Sequence, residues 1–194
     1  MLLKTSLRET FKKKRLELSK EAQDRAGEQI LSYFQSAPNG MHWCLYREIK
    51  GEVPTKKFFH WARSRGDFLY FPKIDGDQMD FLQVTDLRDL KKGRWGDEPQ
   101  SEKKFDGRGF SCILVPGLVF GPAGERIGFG KGFYDRFLKT CPNLLRIGLA
   151  YDFQITAQDW SSEEHDERMD WVFTPAGIWG QRRRLLGLCD FWHF

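Results

Sequence analysis

The chain has 194 residues, 40% of them hydrophobic and 30% charged, a balance that fits one soluble globular domain and contains no stretch approaching a membrane span. A net charge of +4 with pI ≈ 8.9 favours anionic partners in general and names none. Four widely spaced cysteines (Cys44, Cys112, Cys141 and Cys189) make no C-x-x-C pair, and the opening residues lack a signal peptide's apolar core, so free thiols in a cytoplasmic protein are expected.

Leu3, Leu7 and Phe11 recur every fourth residue and predict a first helix, with Lys4 and Arg8 on a neighbouring face. Ser19 is placed to cap a second helix, whose buried edge is Ala22, Ala26, Ile30 and Phe34. Residues Met41–Tyr46 read as a buried strand, Pro54 as the first residue of a helix presenting Phe58, Phe59 and Ala62, and Asp67–Phe71 as a parallel strand stopped by Pro72. A turn at Asp75–Asp77 leads to another strand over Met79–Val84. From Thr85 to Gly109 the chain is charged and poor in aliphatics, and reads as a long connection in which Trp95 is either a stacking plate or a local anchor. The strongest strand signal is Phe110–Phe120, ending at Pro116–Gly117. A helix from about Gly132 to Thr140, a strand over Leu144–Ala150 and a short last strand at Trp171–Pro175 complete the pattern. Strands alternating with helices predict an α/β fold, a single domain over residues 1–194 with a mainly parallel sheet flanked by helices. The basic runs Lys12–Arg15 and Arg182–Arg184 read as solvated helix faces, because no aromatic platform for nucleic acid accompanies them.

The chemistry concentrates in RIGFGKGFYD, Arg126–Asp135. It fits neither G-x-x-x-x-G-K-S/T nor G-x-G-x-x-G, since Gly132 follows Lys131 and Phe133 stands where a third glycine is needed. The physics of an anion site survives. Glycines let main-chain N–H groups approach an anion, a helix begins there, Arg126 and Lys131 add charge, and Asp135 suits a divalent metal bridging to phosphate. A glycine-rich turn with Asp135 as a first-turn helix charge is the structural alternative.

The segment LVPGLVFGPAGERIGFGKGFYDRFL resembles the signature of the 5-formyltetrahydrofolate cyclo-ligase family. LKTSLR, YREIKGEVPT, FPKIDGDQMDF and EEHDERMDWVFTP resemble further family segments in the right order, over about residues 4 to 175. The resemblance implies a NagB/RpiA/CoA-transferase-like fold and MgATP-driven cyclisation of 5-formyltetrahydrofolate to 5,10-methenyltetrahydrofolate, in a monomer with small-molecule substrates and no nucleic-acid partner. By the same resemblance, Lys4, Arg8, Arg126 and the loop Gly128, Phe129, Gly130, Lys131, Gly132, Phe133 and Tyr134 bind ATP. Arg47, Glu52, Trp95 and the loop residues Phe129 to Phe133 face folate. Arg126, Lys131 and Asp135 are catalytic, and Asp135 and Asp170 hold Mg2+, with Asp166 in support. The chain departs from the family pattern at Phe133 (often Tyr), Pro54 (an acid) and Gly121 (Asp). A non-catalytic folate- or RNA-binding module on the same fold, and a nicotinamide oxidoreductase resting on Gly128 and Gly130, are the competing readings.

Overall fold

A computed structural model describes residues 4–93, 96–107, 109, 111–157, 160, 163 and 166–180. Leu3, Trp95, Phe110, Arg182–Arg184 and Cys189 lie outside them. Helix α1 (Lys4–Leu16) and helix α2 (Lys20–Ser32) open the chain, the second capped by Ser19, whose hydroxyl accepts from Ala22 N–H. Then come β1 (His42–Cys44), α3 (Lys56–Ser64), β2 (Phe68–Asp75) and β3 (Gln78–Gln83). The small strands β4 (Leu90–Gly93) and β5 (Gly96–Pro99) precede β6 (Ser111–Pro116). The two-residue strands β7 (Val119–Phe120) and β8 (Arg126–Ile127) lead into α4 (Phe133–Thr140), β9 (Leu145–Leu149), β10 (Trp171–Thr174) and β11 (Gly177–Gly180).

Seven strands form one sheet in the order β11-β10-β9-β6-β1-β2-β3. The five inner strands are parallel, and β3 and β11 close the two edges antiparallel. Alternation along the strands sorts the core into two faces. Trp43, Leu45, Leu69, Phe71, Cys112 and Leu114 pack with Ile30 and Phe34 near α2 and with Phe58 and Phe59 of α3. Cys44, Tyr70, Ile113 and Val115 face the other way, toward Leu138 of α4. Helix α1 belongs to neither face: its Leu7 and Phe11 pack with Val119 and Ile127 of the β7–β8 hairpin, beyond the end of the sheet.

Four expectations need correcting. Pro72 does not stop β2, which continues to Asp75 opposite β3. Tyr70 turns its carbonyl toward β1, so Pro72, two residues on, faces the same side beyond the end of β1, and no ladder bond is lost with its missing N–H. Helix α3 begins at Lys56 with Thr55 before it, and the Thr55 hydroxyl donates to Tyr46 O rather than capping the helix. The connection from Thr85 holds a 3-10 turn at Leu87–Asp89 and the β4–β5 hairpin. The strand at Trp171 is not the last, because Gly177 allows an immediate return into β11. Cys44, Cys112 and Cys141 are free thiols.

Phe34 is fully buried and touches the rings of Trp43, Phe58 and Phe173 edge-on or tilted. Phe34→Ala is therefore expected to lower the free energy of unfolding by about 3–5 kcal/mol, measured by urea denaturation at constant slope.

Candidate active site

The order β2-β1-β6 puts a topological switch between β1 and β6, where ligands of open α/β sheets bind beyond the carboxyl ends of strands. The loop leaving β1 and the segment leaving β6 line a cleft of about 630 Å3 there, within the usual range for small-molecule sites. Eight lysines and arginines face it against six aspartates and glutamates, so the cleft suits an anion. Pro72, Ile74, Met79 and Phe133 add an apolar wall on the β2–β3 side.

The glycine loop joins β8 to α4. Gly132 precedes the helix in the left-handed region (φ +67°) and offers no side chain to cap the first-turn N–H groups. At Gly128 a β-carbon would stand 2.6 Å from Arg126 Nη1, so a side chain there would displace the guanidinium. Gly130 has φ +89°, and the Arg8 guanidinium lies 3.4 Å from where its β-carbon would be. Arg8 Nε also donates to Gly128 O at 3.0 Å, so α1 holds the loop from outside.

Arg126 is buried on β8. Its Nη2 donates to Asp135 Oδ1 at 2.7 Å, its guanidinium lies 5.7 Å from the Tyr134 ring centre, and its Nε is buried with no hydrogen-bond partner among the described residues. Asp135 Oδ1 also accepts from Glu167 N–H at 3.3 Å. Lys4 Nζ contacts Asp166 at 2.7 Å and Glu163 at 3.0 Å. Burial alone would lower its pKa, but these hydrogen bonds prevail and hold it above the usual lysine value. Phe129 is exposed at the rim, with Lys50 Nζ 4.9 Å and the Arg15 guanidinium 5.4 Å from its ring centre. Arg136 lies over Phe133 at 5.2 Å.

Glu52 lies on the β1 exit loop and is 4% exposed. Ile49 N–H donates to its Oε2 at 3.0 Å, and Arg15 Nη2 stands 4.0 Å from its Oε1. Burial pushes its carboxyl up to about 7, against the pull of the Ile49 N–H and of Arg15. Arg47 reaches Asp97 on the β4–β5 hairpin at 3.4 Å, which brings the charged connection to the edge of the cleft.

Of the residues singled out from sequence, Lys4, Arg8, Arg47, Glu52, Arg126, Asp135 and the whole Gly128–Tyr134 loop line this cleft, as does Asp166. Asp170 does not. It is buried at the start of β10, where its Oδ2 accepts from Arg146 N–H at 2.9 Å and its own N–H donates back to Arg146 O. Arg15 was missed, having been read as part of a solvated basic run. It is fully buried, and the readable signal is its place four residues after Phe11 on the Leu7–Phe11 stripe. Lys50, Asp97, Glu98, Arg136 and Lys139 also line the cleft and were not singled out from sequence.

A family model described as the 5-formyltetrahydrofolate cyclo-ligase family matches residues 2–175. The 5-formyltetrahydrofolate cyclo-ligase of Mycoplasma genitalium is 29% identical over 177 residues, covering 89% of this chain and 98% of that protein. That of Mus musculus is 28% identical over 149 residues, covering 69% and 73%. Among solved structures, the 5,10-methenyltetrahydrofolate synthetase of Aquifex aeolicus superposes with TM-score 0.82 at 32% identity, covering 93% of each chain. The Mycoplasma pneumoniae synthetase gives TM-score 0.72 at 25% identity, covering 89% of this chain and 98% of that one.

The raised Glu52 value has a consequence for stability. The folded protein holds this proton more tightly than the unfolded chain, so the contribution is fully present below pH 4.5 and lost as pH rises to about 7. Glu52→Gln removes that dependence. The stability of the variant relative to the parent should rise by up to about 3 kcal/mol between pH 4.5 and pH 8, measured by urea unfolding at both. A difference that is flat or falls across this window would contradict the assignment.

Proposed function

The chain belongs to the 5-formyltetrahydrofolate cyclo-ligase family, and from that premise we propose that it closes 5-formyltetrahydrofolate to 5,10-methenyltetrahydrofolate, driven by ATP and releasing ADP and phosphate. One observation carries the reading. A glycine loop at a helix start, the N-terminal cations Lys4 and Arg8, and the buried carboxyl of Glu52 share one cleft.

The formyl oxygen attacks the terminal phosphorus of ATP as the bond to ADP breaks. The folate N10 then attacks the activated carbon, the carbon–oxygen bond breaks, phosphate leaves and N10 gives up its proton. The substrate supplies the nucleophile, so the protein's task is positioning and charge stabilisation. The uncapped first-turn amides of α4, with Lys131, Arg126, Lys4 and Arg8, take the phosphate oxygens. The Nε of Arg126, buried without a hydrogen-bond partner among the described residues, supports this role. Lys4 and Arg126 are held by Asp166, Glu163 and Asp135, so their carboxylate partners keep them aligned before an anion arrives. Glu52 accepts from the amino edge of the pterin, Phe133 and Phe129 offer ring faces, and Arg47 stands on the folate side; Trp95, assigned to folate by the resemblance, lies outside the described residues.

Among the described residues no group of three or more His, Cys, Asp or Glu could cage a metal. That suits Mg2+ arriving with ATP, which needs only one or two protein carboxylates beside the phosphates. Asp135 is the fitting one, with Asp166 beside the same cleft, whereas the Asp170 carboxylate is engaged by Arg146 N–H. When bound, the ion neutralises charge on the phosphates. The same reading makes the protein a cytoplasmic monomer acting on small molecules without a nucleic-acid partner. The burial of Arg15, which takes one charge out of the Lys12–Arg15 run, supports the last point. No helix among the described residues is long and apolar enough to cross a membrane.

Pure protein mixed with 5-formyltetrahydrofolate and MgATP should develop the methenyl chromophore, and omission of either component should abolish it. Absence of the chromophore in the complete mixture would refute the reaction. Asp135→Asn should lower turnover by at least about 100-fold while circular dichroism shows the fold retained. Near-normal turnover in that variant would remove Asp135 from the catalytic set.

A further inference from the structure

The Arg15 guanidinium lies where α1 meets both loops that flank the switch between β1 and β6. Its Nε donates to Lys50 O at 2.9 Å on the β1 exit loop, and its Nη1 donates to Gly117 O at 3.0 Å after β6. The third nitrogen, Nη2, is buried, lacks a hydrogen-bond partner among the described residues and faces Glu52 Oε1 at 4.0 Å. The turn it grips is strained. Lys50 is the non-glycine residue with positive φ among those described (φ 49°), and Gly51 follows at φ +74°. A β-carbon on Gly51 would stand 2.9 Å from the carbonyl oxygen of Arg15. Strain of this kind persists where surrounding contacts over-determine it, and here it delivers Glu52 to the cleft.

We propose that Arg15 is a positioning residue for Glu52: its guanidinium holds the Lys50–Gly51 turn, aims the Glu52 carboxyl into the cleft and favours its ionised form. This rests on Glu52 being the carboxylate that meets the amino edge of the folate. An ionised carboxylate accepts from such an edge through both oxygens, whereas protonation turns one of them into a donor. The groups that act on Glu52 are few. Arg15 on α1 and Lys50 on the loop favour its charge, and Glu48 on the loop opposes it. The hydroxyls of Tyr46, Tyr134 and Tyr151 sit around it, all held protonated by burial. Arg15 is thus the buried cation of the set, and desolvation, the largest effect on Glu52, is countered mainly by it and by the Ile49 N–H.

The test replaces Arg15 by an apolar side chain of similar length and follows Glu52 directly. In Arg15→Met the midpoint of the Glu52 carboxyl, read by 13C NMR and assigned with Glu52→Gln, should rise by about one pH unit. At pH 7 the KM for 5-formyltetrahydrofolate should rise about fivefold and recover at higher pH, while the dissociation constant for ATP stays within about twofold. Adding Arg15→Met to Glu52→Gln should change folate KM little further, because Arg15 acts through Glu52. An unchanged Glu52 midpoint in Arg15→Met, or folate and ATP affinities that fall together, would overturn the proposal. Should Arg15→Met not fold, Arg15→Gln decides: a midpoint that rises by about a unit supports the role, and one that stays at the parent's value overturns it. The NMR midpoint needs no folate, so lack of turnover in the parent enzyme would refute the proposed reaction while leaving the role of Arg15 to be judged on its own.

Discussion

The site depends on the ion pair between Arg126 and Asp135. These residues stand at the two ends of the glycine loop, one on β8 and one in the first turn of α4, and their 2.7 Å contact closes the loop into a ring of main chain. Both side chains are largely withdrawn from water, where the loss of either partner leaves an uncompensated charge. The pair does not stand alone. Asp135 accepts from Glu167 N–H, the Glu167 carboxylate accepts from Arg146, and Arg146 exchanges main-chain and side-chain hydrogen bonds with Asp170. A chain of charge-assisted contacts therefore runs from the cleft into the junction of β9 and β10. It links Asp170 to the site through Arg146, Glu167 and Asp135.

Much of the fold was legible because burial leaves a period in the sequence. The Leu7–Phe11 stripe, the apolar runs at β1, β6 and β9, and the Ser19 cap all became the elements they announced. The exceptions share a cause: each residue's local meaning was overridden by a neighbour that the sequence does not reveal. Pro72 reads as a stop until β1 is known to end short of it. The charged stretch after Thr85 reads as a loop because a two-stranded hairpin beside a cleft needs no apolar alternation. Arg15 reads as surface because the two carbonyls that receive it lie 35 and 102 residues away.

The site was legible to a different degree. Spacing alone supported an anion site at Gly128–Gly132, and the resemblance supplied Lys4, Arg8 and Glu52 from segments that no local pattern connects. The fold joins them because β1 and β6 are adjacent and parallel, so their exit loops open on the same side. Asp170, assigned to the metal by the resemblance, lies outside the lining of the cleft, with one carboxylate oxygen on Arg146 N–H. A carboxylate near the end of a motif can be a strut as readily as a ligand, and only its hydrogen-bond partners tell which.

Helix α1 rests on the β7–β8 hairpin through a small apolar cluster of its own, apart from the two clusters that cover the sheet. That separation divides the molecule into a scaffold and a clasp. Arg8 and Arg15 tie the clasp to the glycine loop, to the loop leaving β1 and to Gly117 after β6, so the helix and the walls of the cleft are coupled. Ligand that bridges the helix to the glycine loop would then show itself as slower amide exchange in α1.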